Sequence, residues 1–267
     1  MDSVFKYMTY RPEFFENFLL KASTFGEFND PFEMVMGDAL SILSKQEYDE
    51  VMMSCPSLSD PANYHDYYWD AQCGVRASLA VLCFTSKADN ILMWSHYANN
   101  HEGICIEFDK NADFFNGQFN ITNISEKNDP NIGVLREVEY TIDRPCYASP
   151  IELENDTASW FVKAKDWAYE EEQRLLLPID NSQMMPINDK KNPFYNINPN
   201  IIRSIILGCK MSAEVKKKVS VLCKAKGIKV REAFIHSHQF RIDIIDYSEG
   251  NQEKYNNQFN INRITNY

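Results

Sequence analysis

Residues 201–234 read IIRSIILGCKMSAEVKKKVSVLCKAKGIKVREAF. Ile201–Leu207 is an apolar run of strand length. Ser212 opens a helical pattern reaching about Lys226, Gly227 stops it, and Ile228–Phe234 supplies a second strand. Strand, helix and strand in that order form a β-α-β unit, because parallel pairing needs a crossover of about that length. Phe240–Tyr247 follows as a last strand, turned back through His236–Gln239.

Working outward, Val4–Thr9 alternates enough for a short strand. Pro12 starts a helix whose apolar stripe is Phe14, Phe15, Phe18 and Leu19. Asp30-Pro31-Phe32-Glu33 resembles a second helix start, with Asp30 as N-cap and Glu33 reaching back, and Asp38–Met53 keeps a helical pattern. Leu79–Ser86 and Gly103–Phe108 are strands around a helix at Asn90–Asn99; Val134–Thr141 alternates, Thr157–Trp167 is helical, and Glu172–Pro178 is a strand. Residues 54–70 form a loop or lid whose Tyr64, Tyr67, Tyr68 and Trp69 need cover, and 111–131 is a second, polar insertion. The expected fold class is α+β: a single mixed-sheet domain with flanking helices over 1–248, followed by a polar tail at 249–267.

Bulk composition restricts the function classes. The 267 residues are 44% hydrophobic and 24% charged, ordinary for a soluble globular chain. No apolar run is long enough to cross a bilayer, and the N-terminus lacks the basic and apolar regions of a secretory signal. Seven cysteines with no Cys-x-x-Cys pair read as small hydrophobes in a reducing compartment, so the expectation is cytoplasmic. The formal charge of −11 argues against non-specific binding to a nucleic-acid backbone. The lysine-rich stretch from Lys210 to Lys229 reads as a solvated helix face.

Three distant clusters set aromatic rings beside charged groups: Tyr7–Arg11 with Phe28–Glu33, then Met93–Ala98, then Trp167–Arg174. A core needs the rings but not the charges, since an unpaired buried charge is costly. A flat, anionic ligand such as a dinucleotide would use both. In the first cluster Asn29 is unexplained by capping. In the second, Trp94 and Tyr97 share a helical face, either as core or as a stacking wall, while His96 points elsewhere. His96 and His101 lie five apart without a completing ligand pattern, so no metal is expected. In the third, Glu170, Glu172 and Arg174 are spaced by two and would share one face of a strand. Two readings stand: a surface salt bridge at a strand end, or a carboxylate aimed at a sugar hydroxyl.

The chain resembles an uncharacterised bacterial family, domain of unknown function 2971, often encoded near phage-defence genes. The resemblance rests on Tyr7–Arg11, Phe28–Glu33, Cys83-Phe84-Thr85-Ser86, Met93-Trp94-Ser95-His96-Tyr97-Ala98 with Gly103-Ile104-Cys105-Ile106, Trp167-x-Tyr169-Glu170-x-Glu172-x-Arg174, and Ile205-Ile206-Leu207-Gly208. A second, more distant resemblance is to the core of ADP-ribosyltransferases. It rests on Arg11 near the first strand, Phe84-Thr85-Ser86 before an aromatic helix, and the late Glu170-x-Glu172 leading into Leu175-Leu176-Leu177-Pro178. The departures are Arg11 at a helix start, Phe-Thr-Ser in place of Ser-Thr-Ser, and Gln173-Arg174 before the apolar run.

That resemblance implies NAD as substrate and an ADP-ribosyltransferase-like core. Glu172 would stabilise the oxocarbenium-like ribose left when nicotinamide departs, and Glu170 would prepare the acceptor. Arg11 would hold the pyrophosphate, Tyr7 or Tyr97 would stack on nicotinamide, and Asn29, Asp30, Thr85, Ser86, Trp94, His96 and Arg174 would complete the binding set. The implied role is a toxin or phage-defence effector modifying a nucleic acid or protein, restrained by an antitoxin-like or defence-system partner. The alternative is a non-enzymatic nucleotide-binding sensor or antitoxin-like partner protein. A third reading, from the residues alone, is a metal-dependent nuclease using Glu107 and Asp109, which lacks a companion lysine on that strand.

Overall fold

The computed structural model describes residues 2–35, 37, 43–54, 77–117, 129–146, 157–187 and 189–251. The aromatic loop at 55–70, most of the second insertion and the tail beyond 251 lie outside the described residues. Thirteen strands are described: β1 Ser3–Met8, β2 Leu19–Lys21, β3 Leu79–Thr85, β4 Ile104–Asp109, β5 Arg136–Glu137, β6 Glu139–Thr141, β7 Val162–Ala164, β8 Glu172–Pro178, β9 Gln183–Ile187, β10 Lys190–Asn196, β11 Ile202–Leu207, β12 Lys229–Ile235 and β13 Ile242–Asp246. The helices are α1 Pro12–Asn17, α2 Lys45–Ser54, α3 Ile91–Tyr97 and α4 Ala213–Ala225. The protein is thus a mixed α/β fold dominated by mixed sheet, with few helices.

The described chain divides into two compact units, the first comprising 1–20, 84–112 and 196–267, the second 21–83 and 113–195. The first unit contains the β-α-β element. β11 and β12 are parallel (Ser204 opposite Lys229, Leu207 opposite Glu232), and β13 returns antiparallel to β12. On the other side β4 pairs antiparallel with β11, and β1 with β4, from Ser3 opposite Asp109 to Met8 opposite Ile104. The crossover helix α4 is capped by Ser212, whose Oγ accepts from the Val215 amide, and it ends before Gly227 at φ 69°. It buries Lys216, Val219 and Cys223, spaced by three and four as one face requires. The lysine-rich stretch is therefore not all solvated face: Lys216 is buried and paired with Glu232, while Lys217 and Lys218 are exposed.

In the second unit the strand order is β3-β8-β5, with β9 and β10 as an antiparallel hairpin and β6 and β7 as a parallel pair. Its core holds Met34, Leu79, Val81, Ile132, Trp160, Phe161 and Leu176. The β9–β10 hairpin was not expected. Pro186 and Pro193 lie within its strands, and proline breaks the sequence pattern of a strand while being tolerated where its missing donor is not needed.

Two expected helices are absent. At 30–34 the chain makes one turn: Phe32 N donates to Asp30 Oδ1 at 2.9 Å, and Met34 at φ 59° ends it. Residues 157–167 form short 3₁₀ turns, Ala158–Phe161 and Lys165–Glu170, on either side of β7. The Trp160 carbonyl, which an α-helix would bond to an amide four residues on, instead accepts from Arg174 Nη1 at 2.6 Å. Of the pattern at 38–53, α2 covers the stretch from Lys45 onward, and 38–42 lie outside the described residues. Among the described residues no helix is long and apolar enough to cross a membrane.

Candidate functional site

β8 enters the second unit's core with every residue from Glu172 to Pro178 buried. A strand repeats its side-chain direction every two residues, so Glu172 and Arg174 face the same way. Arg174 Nε meets Glu172 Oε1 at 2.8 Å and Nη2 meets Oε2 at 2.9 Å, a two-point pairing that suits the guanidinium fork. Glu170 is not on the strand. Glu171 at φ 43° ends the preceding 3₁₀ turn, and Glu170 converges on the same place from that turn through Lys163, whose Nζ lies 2.7 Å from Glu170 Oε2 and 3.1 Å from Glu172 Oε2. Glu33 completes the group. It does not cap a helix but pairs its Oε1 with Arg174 Nη2. Glu172 N donates to the Tyr140 hydroxyl at 2.7 Å, and the Arg174 guanidinium lies over the Phe28 ring.

Among the described residues this is a buried network of three carboxylates and two cations, not a surface salt bridge: Arg174 is 0% and Glu172 4% exposed. Burial alone would raise the Glu172 carboxyl pKa, but Arg174 and then Lys163 outweigh it and hold the group at about 2. Burial likewise opposes the charge on Lys163, and Glu172, Glu33 and Glu170 override it, so the ammonium stays protonated well above its ordinary range. For Glu33 burial prevails and its carboxyl is raised. Both Glu172 oxygens are occupied, so the group is an electrostatic anchor as it stands. A catalytic role would require it to exchange a partner for substrate.

The remaining sequence-derived candidates have these places. Asp30 is buried and its carboxylate braces the turn at Phe32, while Asn29 is exposed. Tyr7 and Trp94 pack edge-to-face at 5.1 Å in the first unit, with the Tyr7 hydroxyl donating to Lys87 O and Trp94 Nε1 to Ala88 O. Trp94 is fully buried, which makes it core and not an exposed stacking wall. Thr85 is buried and accepts from Lys87 N; Ser86 and His96 are exposed, and His96 meets the Tyr97 ring at 6.2 Å. Arg11 is the residue before α1. Glu170, Glu172 and Arg174 are brought together, as are Tyr7 and Trp94, whereas Arg11 and Tyr97 belong to the first unit and Glu172 to the second. Glu107 accepts from Ser3 and Ser204 hydroxyls, and Asp109 pairs with Arg203 at 2.9 Å. Among the described residues no group of three or more His, Cys, Asp or Glu could hold a metal ion.

The first unit has a cavity of about 510 Å³ that the sequence did not reveal. It lies beyond the C-terminal ends of the parallel strands β11 and β12, where open α/β sheets form their ligand crevices. Cys209 and Lys210 follow β11; Ile235 to Ile242 supply the β12–β13 turn; His101 comes from the turn after α3. Asn99, Asn100 and His101 all adopt left-handed backbone, at φ 47°, 52° and 72°. Gly103 and Gly208 permit the turn to pack: a Cβ on Gly208 would lie 2.1 Å from His101 O, and one on Gly103 would lie 2.4 Å from Met8 O. His101 Nε2 is 2.9 Å from Ser95 Oγ, and burial, followed by Lys210, lowers the imidazole pKa. The ionisable nitrogen-bearing side chains on the cavity wall are His101, Lys210, His236, His238 and Arg241, and among the described residues no carboxylate lines it.

Residues 93–175 match the model of the family described as Protein of unknown function (DUF2971). The match covers 83 of the 267 residues. The DUF2971 match runs from α3 to the start of β8, so it takes in His96, Tyr97, His101, Lys163, Glu170, Glu172 and Arg174. The family's description names no activity. No curated protein and no solved structure matches the chain.

Proposed function

We propose that the protein is a nucleotide-binding sensor or partner protein whose ligand sits in the 510 Å³ cavity of the first unit. One observation carries this reading: in a chain of net charge −11, the described wall holds Lys210, Arg241 and three histidines and no carboxylate, the Cys209 thiol being kept neutral by burial. Lys210 has no carboxylate partner among the described residues, and Arg241 shares its guanidinium with Asp243 at 3.0 Å in an exposed pair that a phosphate could outcompete. Ile91, Ile235, Ile242 and the fully exposed Phe240 offer an apolar flank for a base. The volume falls in the range of small-molecule sites, roughly 300–1,000 Å³.

Titration calorimetry with ATP, NAD and uncharged adenosine tests this. The phosphate-bearing ligands bind, adenosine binds at least about tenfold more weakly, and the Lys210→Ala/Arg241→Ala double variant loses about tenfold or more. Adenosine binding as tightly as ATP, or no binding by any of the three, removes the reading.

A second reading is an NAD-consuming ADP-ribosyltransferase acting as a toxin or defence effector on a nucleic acid or protein. It is favoured by the gathering of Glu33, Glu170 and Glu172 at the start of β8, a concentration of carboxylate suited to an oxocarbenium-like ribose. Nicotinamide release from NAD, with candidate acceptors present, is the measurement. Wild-type activity reduced about a hundredfold in Glu172→Gln supports it, and none in wild type ends it.

A further inference from the structure

A smaller cleft, of about 280 Å³, lies wholly within the second unit. Its wall includes Phe32, Glu33, Asp143, Arg144, Lys163 and Asp166, so it reaches the buried charge network through Glu33 and Lys163. Among the described residues the network holds more carboxylates than cations. Three carboxylates share two cations: Arg174 serves Glu172 and Glu33, and Lys163 serves Glu170 and Glu172. Glu33 Oε2 is left over. The Glu33 side chain is 1% exposed, its Oε2 has no hydrogen-bond partner among the described residues, and Lys163 Nζ at 3.6 Å is too far to donate.

We propose that this cleft binds an organic ammonium ligand, a primary amine on an apolar stem, with its nitrogen donating to Glu33 Oε2. A hydroxyl would satisfy the oxygen, but an ammonium also meets the acidic wall of Glu33, Asp143 and Asp166, and charge-assisted bonds are the stronger kind. Asp143 and Asp166 on the wall add attraction for a cation, while Arg144 lies over the Phe32 ring at 5.6 Å. The stem has a place to lie: Phe32 and Ile142, both lining the cleft, are 59% and 83% exposed. Burial has already pushed the Glu33 carboxyl upward. This site is separate from the cavity of the first unit and does not depend on what that cavity holds.

The test is calorimetry on the full chain with hexylammonium, hexanol and hexanoate. Hexylammonium binds, and the alcohol and the acid are each weaker by about tenfold or more. Glu33→Gln loses about tenfold in amine affinity. Because that change also takes a partner from Arg174 and the variant could fail to fold, Ala164→Leu is the companion: it fills the cleft wall without touching the charges and abolishes amine binding. Hexanol binding as well as the amine, amine affinity unchanged in Ala164→Leu or in folded Glu33→Gln, or no amine binding at millimolar concentration each overturns the proposal.

Discussion

Glu172 is held in its charged form by Arg174 and Lys163, and the consequences are measurable by pH. Its folded value of about 2 lies below the ordinary 4.5, so its stabilising contribution is present above pH 4.5 and is lost as pH falls toward 2. Glu33 has the opposite sign: raised above 4.5, it contributes stability below that value that is lost as pH rises through its folded value. Glu172→Gln is therefore expected to lose on the order of 3 kcal/mol at neutral pH, and its urea midpoint should fall less steeply than wild type between pH 4.5 and 2. An unchanged acid limb would mean that the carboxylate is not ion-paired in solution. At this scale sequence spacing was informative about Glu172 and Arg174, because a strand's period of two makes them neighbours wherever the strand lies. Lys163 and Glu33 gave no such signal. They are 130 residues apart, and only packing tells that one ammonium and one carboxylate belong to that pair.

Among the elements, the β-α-β unit and the strands β1, β3, β4, β8 and β13 were legible from runs of apolar residues, since local pattern and tertiary environment agree there. The two missing helices have one cause in common, and the unexpected β9–β10 hairpin another, its prolines. At 30–34 and 157–167 good helical patterns are overridden because backbone groups and side chains serve Arg174 and its partners. The turn after α3 shows the same principle at backbone level. Its three left-handed residues persist because Gly103 and Gly208 leave room for carbonyl oxygens where any Cβ would collide. Gly208→Ala is expected to destabilise by about 1–3 kcal/mol or more, since the atom it meets is backbone and cannot swing aside. The Tm of the variant checks this, and a change within error would show that the loop relaxes freely. For α4, Ser212→Ala should cost about 1 kcal/mol through loss of the cap to Val215 N; a matched urea series would detect it.

For the whole molecule, charge is the property most readily tested. With 38 acidic and 27 basic residues, the chain repels polyanions at long range even though one cavity wall is basic. Random-sequence duplex DNA should bind no tighter than about 10⁻⁴ M at physiological salt, as measured by fluorescence anisotropy. Micromolar affinity would show that the basic groups form a continuous track and not an isolated pocket.

The linear chain by itself determined its periodicities, its net charge and the order of its elements, because each depends only on near neighbours or on a sum over residues. It also sufficed to match residues 93–175 to the DUF2971 family model. Tertiary structure alone decided which charges are buried together, which rings are core, and where the cavities lie. Those properties depend on groups far apart in sequence meeting under desolvation, and the strength of a charge's interactions changes severalfold with the environment that the fold builds around it.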